Sequence, residues 1–160
     1  LLYQPATHEE KLLAEPPPEE FIKALQERGV EPLAVGRAIV ATWHPHEDTV
    51  LEVIRNLGLE RQVIFNKGAV MVLPSGVNKA FGLSAALSEL GLSPYNTVGV
   101  GDAENDHSLL DFCGCGVAVA NALPILKEHA DFVTNSDRGA GVVELIDKLI
   151  ASDLAELALE

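Results

Sequence analysis

Apolar residues recur along this chain at two spacings, three-to-four for helices and two or continuous for strands. Leu1-Leu2-Tyr3 reads as part of a strand, and Lys11–Ala14 predicts a short return strand. Phe21, Ile22 and Leu25 share one helical face between Pro18, which suits a first turn, and Gly29, which stops the helix. Leu33–Trp43 is mostly apolar with small residues and predicts one strand, bent at Gly36. His44-Pro45-His46-Glu47 opens a second helix, with Val50, Ile54 and Leu57 facing one way as far as Gly58. Gln62–Phe65 and Val70–Leu73 are β-rich runs joined by Asn66-Lys67-Gly68, a hairpin signal.

Pro74-Ser75-Gly76 breaks the pattern and is the expected domain boundary. From Lys79 a helix runs with Ala80, Leu83, Leu87 and Leu90 inward, closing at Gly91. Strands follow at Thr97–Val100, Gly116–Ala120 and Asp131–Thr134. Between the last two lies a short helix, Leu123–His129, with Pro124 in its first turn. Gly139 and Gly141 precede a last helix with Val142, Ile146 and Leu149 on one face, and Ala151–Glu160 continues an amphipathic pattern. Residues 1–74 thus predict a small α+β unit. Residues 75–150 alternate helix and strand, which means parallel strands with helices on both faces, so the fold class is α/β.

Composition narrows the partners. The chain has 160 residues, 48% hydrophobic and 22% charged, with a net charge of −13. That charge argues against nucleic acid or an anionic membrane surface, both of which need basic patches. No run of 18 apolar residues and no basic leader before an apolar core is visible, so the expected compartment is the cytoplasm. Cys113 and Cys115, the only two cysteines, flank one Gly and read as small buried residues rather than a zinc site or a disulfide.

The chemistry concentrates in Thr97–Asp111. An apolar run stops at Gly101, and Asp102, Glu104, Asn105 and Asp106 follow before Leu109 and Leu110 resume a helical pattern. In open α/β sheets, ligands bind beyond the carboxyl ends of strands. Asp102 sits at such an end, and Asp106 lies one helical turn on. Two converging carboxylates repel unless a cation joins them, and oxygen ligands suit Mg2+, which takes one or two carboxylates beside a phosphate. A dinucleotide fingerprint fails because Glu104 stands where a third Gly is needed. A calcium loop fails because its sixth position is His107 and its twelfth Cys113. The plain alternative is an acidic first turn complementing the helix dipole.

Lys79 is the second element. An ammonium at a helix start is unfavourable by dipole unless an anion is nearby, and a helix N-terminus is itself an anion site. Lys79 with Asp102 and Asp106 therefore makes sense as a phosphate and metal constellation, against the plain reading of a solvated lysine. His44 and His46 lack a third ligand spacing and read as loop imidazoles beside a helix start.

Gly-Val-Asn-Lys79-Ala, Val-Gly-Val-Gly-Asp102-Ala-Glu-Asn105-Asp106, Gly-Val-Ala-Val-Ala-Asn121-Ala, Ala-Asp-Phe-Val-Thr134 and Gly141-Val-Val-Glu together resemble the haloacid dehalogenase-like hydrolases. The nearest subgroup is the Cof-type phosphatases, which include sugar-phosphate and phosphoglycolate phosphatases. The resemblance is firm over roughly residues 60–150, while residues 1–59 match as cap pattern. It implies part of a Rossmann-like core at 75–160 beside a C2-type α+β cap at 1–74. It also implies Mg2+-dependent hydrolysis of a small phosphorylated metabolite through an aspartyl-phosphate. By the match Lys79 would neutralise the phosphoryl group and the nucleophile, Asp102 and Asp106 would hold Mg2+, Asn105 would orient a ligand, and Asn121 would line the substrate site. Trp43, His44 and His46 are candidate cap contacts.

One departure matters. The family's nucleophile lies in an Asp-x-Asp after an apolar strand, and these 160 residues contain no Asp-x-Asp. The second motif, a strand ending in Ser or Thr, is imitated only by Val35-Gly36-Arg37 and Ala41-Thr42, both inside the cap-like part. The expectation is a chain inactive alone, needing a missing N-terminal core segment or a partner chain that supplies it, with a homo-oligomer as a further option. The rivals are a non-catalytic regulatory or interaction module and a simple Mg2+ or phosphate binder.

Overall fold

The computed structural model describes residues 1–155, so the end of the amphipathic pattern expected over 151–160 lies outside the described residues. The chain forms two compact units, Leu1–Ala85 and Ala86–Glu160.

In the first unit, β1 (Leu2–Gln4) and β2 (Glu9–Lys11) make an antiparallel hairpin. The return strand therefore precedes the expected 11–14. The turn closes early because His8 adopts a left-handed conformation (φ 58°) and Thr7 Oγ1 accepts the Glu9 N–H. α1 (Glu19–Glu27) carries Glu19 and Glu20 in its first turn, where they complement the dipole, and it buries Phe21 and Leu25.

The expected single strand over 33–43 is instead a hairpin of β3 (Ala34–Val35) and β4 (Val40–Trp43). Gly36 donates its N–H to Ile39 O at 2.8 Å, folding the apolar run back on itself. After α2 (Glu47–Asn56), β5 (Arg61–Asn66) and β6 (Ala69–Pro74) form the predicted hairpin. The four strands are antiparallel in the order β3-β4-β6-β5. Phe21 and Leu25 of α1 and Val50 and Val53 of α2 pack with Val40, Val70 and Val72 as one core.

α3 (Lys79–Leu90) carries the chain from the first unit into the second. Leu87 is buried, but Leu90, in the last turn before Gly91 reverses the chain at φ 65°, is 68% exposed rather than inward.

The second unit is a parallel sheet of β7 (Val98–Gly101), β8 (Cys115–Ala118) and β9 (Phe132–Val133), in that order. The connecting helices are α4 (His107–Phe112) and α5 (Pro124–His129), and α6 (Arg138–Ser152) follows β9. All four residues of β8 are buried. Alternate β8 residues enter different clusters, Ala118 with Leu110 and Leu126, Cys115 and Val117 with Leu145 and Leu154. A strand covered on both faces is what helix–strand alternation predicts. The buried face of α6 runs through Gly141 and Leu145 with Leu149 partly covered, while Ile146 is 48% exposed. The expected trio fails because Ile146 lies one residue, about 100° around the helix, past the Gly141–Leu145–Leu149 row.

Candidate functional site

The carboxyl end of β7 is built on absent side chains. A Cβ on Gly101 would lie 2.4 Å from Asp106 Cβ and 2.8 Å from its Oδ2. One on Gly99 would meet Cys113 Sγ at 2.9 Å, and one on Gly116 would meet Leu110 Cβ at 2.9 Å. Gly99 and Gly101 share a face of β7, and Gly99 is in register with Gly116 of β8. α4 therefore lies directly on strand backbone. That close approach seats Asp106 under the strand tip, 3% exposed. Its Oδ2 accepts the N–H groups of Asp102 (3.0 Å) and Ala103 (3.1 Å), while its own N–H donates to Ala103 O at 3.0 Å.

Asp106 thus fastens the turn that presents Asp102, which is half-buried at the sheet's carboxyl end. Asn105 is half-buried in the single 3-10 turn between them, Glu104–Asp106. Among the described residues, no group of three or more His, Cys, Asp or Glu is arranged to hold a metal. Asp102 and Asp106 offer only oxygen donors, the ligand chemistry that suits Mg2+, and Asp106 Oδ2 also accepts the two backbone N–H groups.

The loops after β8 and β9 join this tip. Val119 N–H donates to Gly101 O at 3.2 Å, and Leu123 N–H to Asp102 O at 3.1 Å. Ala120 N–H donates to Ser136 O at 3.2 Å. Asn121, exposed, uses Oδ1 to accept the N–H of Arg138 at 2.7 Å, holding that residue in a left-handed conformation (φ 51°). Asp102, Asp106 and Asn121 therefore all lie on connections at the carboxyl end of one parallel sheet.

Lys79, exposed, is the first residue of α3 and belongs to the first unit. Asn78 caps that helix, its Oδ1 accepting the Phe81 N–H at 2.8 Å. His44 pairs with Glu47 at 2.6 Å, and His46 Nε2 is 3.0 Å from Glu31 O. Both imidazoles thus tie down the start of α2. Hydrogen bonding, from the Glu47 backbone N–H first and His44 after it, holds the Glu47 carboxyl below its usual range. Trp43 is 53% exposed at the end of β4. Cys113 and Cys115 are free thiols, and burial pushes both pKa values up, as small packing residues require.

Glu144 escaped the sequence reading as a functional group, although it closes the Gly141-Val-Val-Glu stretch. Both its carboxylate oxygens accept the Asn135 N–H (3.1 and 3.0 Å), and Oε2 also accepts the Ser136 N–H at 3.0 Å. These bonds, Asn135 first, hold its carboxyl below the usual range. No capping-box spacing marks it, because it lies past the first turn of α6 and reaches back to the loop before the helix.

The family model for haloacid dehalogenase-like hydrolases matches residues 48–146. Phosphoglycolate phosphatase 2 of Saccharolobus solfataricus is 35% identical over 106 residues, covering 66% of this chain and 45% of that protein. A phosphoglycolate phosphatase of Methanopyrus kandleri is 34% identical over 148 residues, covering 83% of this chain and 63% of that protein. A solved haloacid dehalogenase-like hydrolase from Bacteroides thetaiotaomicron superposes with a TM-score of 0.61 at 27% identity, over 72% of this chain and 45% of that one. The chain spans about half the length of the first of these curated relatives.

Proposed function

The chain belongs to the haloacid dehalogenase-like hydrolase family, and from that premise we propose that it is the metal- and phosphate-binding portion of a Mg2+-dependent phosphatase. The observation that carries the reading is the turn after β7, where buried Asp106 fixes the backbone of Asp102 through two N–H bonds. Asp102 and Asp106 would hold Mg2+, directly or through water, with Asp106 also fixing the turn that carries Asp102. When bound, the metal supplies Lewis-acid and template chemistry at the phosphoryl oxygens. Lys79 neutralises the phosphoryl group, Asn105 orients one of its oxygens, and Asn121 lines the substrate site. In this reading residues 1–74 are a C2-type cap that selects a small phosphorylated metabolite in the cytoplasm. Phosphoglycolate is the first substrate to assay, since relatives carry that name. No helix among the described residues is long and apolar enough to cross a membrane.

No Asp-x-Asp occurs in the 160 residues, and in this reading the nucleophile is supplied by residues outside them. The test is hydrolysis of p-nitrophenyl phosphate and phosphoglycolate with Mg2+. The 160-residue chain is expected to be inactive alone; adding a polypeptide that carries the Asp-x-Asp strand is expected to restore turnover, and Lys79→Ala to remove it. Turnover by the chain alone, lost on Lys79→Ala, overturns the incomplete-site reading. The missing nucleophile also favours a second reading, a non-catalytic interaction module. Failure of every nucleophile-bearing polypeptide to restore turnover supports it.

A further inference from the structure

Three loops meet at the carboxyl ends of β7, β8 and β9, and their hydrogen bonds form one continuous brace. It starts on α6, where Glu144 clamps the N–H groups of Asn135 and Ser136. Asn135 Nδ2 adds a further donor to Glu144 Oε1 at 3.0 Å. Ser136 O then accepts from Ala120 N–H and from Thr134 Oγ1, the latter at 2.7 Å from a residue 2% exposed. Arg138 N–H adds a second tie, to Asn121 Oδ1. The same 120–123 segment ends at Leu123, whose N–H holds Asp102 O.

We propose that Glu144 is a positioning residue for Asp102: by clamping residues 135–136 it fixes, through 120–123, the backbone that presents Asp102. The inference builds on the reading of Asp102 as a Mg2+ holder. The brace is short because α6 comes close to the loop. A Cβ on Gly141 would lie 2.4 Å from Ser136 O and 2.6 Å from Thr134 Oγ1. A staple serving only its own loop needs no bond from Ser136 to Ala120 and none from Arg138 to Asn121. Both are present, and both end on the segment that holds Asp102. The left-handed Arg138 is sterically costly for a non-glycine residue, and its N–H is the group that Asn121 holds. Buried or not, groups that orient metal-binding side chains have large effects on affinity when removed.

The experiment uses the whole chain with Glu144→Ala, which removes both carboxylate acceptors from the loop N–H groups, and Asn121→Ala, which breaks the brace further along. Amide hydrogen exchange at Leu123 reads the Asp102 backbone, and calorimetry reads Mg2+ affinity. In Glu144→Ala, exchange at Leu123 is expected about tenfold faster and Mg2+ binding about tenfold weaker. Asn121→Ala gives the same direction, and the double variant adds less than the sum, because both cut one line. Faster exchange at Asn135 and Ser136 with Leu123 unchanged overturns the proposal. A Mg2+ affinity indifferent to Asp102→Asn sinks the metal reading instead. The Leu123 amide involves no metal and still decides whether Glu144 positions that backbone.

Discussion

Asp102 and Asp106 are one helical turn apart in sequence yet do different work. Asp106 is buried, and its Oδ2 satisfies two backbone N–H groups. Asp102 is tied into the turn by its own N–H and carbonyl, which any side chain at that position keeps. Asp106→Ala leaves the Asp102 and Ala103 donors without that acceptor, at about 1–3 kcal/mol for each that stays dry. Asp102→Ala keeps those backbone bonds and is expected to cost less, while abolishing Mg2+ uptake. Denaturant melts of the two variants, with calorimetry on each, check the contrast; equal destabilisation refutes it. The acidic pair was legible because a Gly-Asp turn after an apolar run ends a strand at the place where α/β sheets bind ligands. The division of labour was not legible. It depends on Gly101 having no Cβ against Asp106, a three-dimensional clearance that spacing does not encode.

Elements were readable where period and punctuation agreed. The β5–β6 hairpin, α2 and the helix–strand alternation of the second unit all follow from apolar spacing bounded by Gly or Pro. The β3–β4 hairpin was not readable, because a continuous apolar run looks the same whether it is one strand or two folded at Gly36. Glu144 is a case in which an element acts on the loop before it. The folded Glu144 pKa lies below its ordinary 4.5, lowered first by the Asn135 N–H. A depressed carboxylate contributes its clamp fully above the unfolded pKa and loses it as pH falls through the folded value. Acidification is therefore expected to release the Asn135 and Ser136 amides with a midpoint below 4.5. In Glu144→Ala the clamp is absent at every pH, so the release no longer depends on pH. Amide shifts followed through an acid titration read both, and a wild-type midpoint at or above 4.5 contradicts the clamp.

At the scale of the whole molecule, each compact unit keeps its own buried residues. The first core draws on α1, α2, β4 and β6, and the clusters of the second draw on β8 and residues from α4 onward. Among the described residues, none buried in the first core belongs to the second unit. Separate cores lead to the expectation that one unit can loosen without emptying the other. Leu25, fully buried in the first core, tests this. Leu25→Ala is expected to cost the first unit about 2–5 kcal/mol, from lost burial and the cavity left behind. Amides of β4 and β6 then exchange far faster, while those of β8 keep their protection to within about 0.5 kcal/mol. Mg2+ affinity should follow β8, because Asp102 and Asp106 sit in the second unit. Equal loss of protection in β6 and β8 would mean that the two units unfold as one, and that a mutation in the first unit reaches the carboxylates through stability alone.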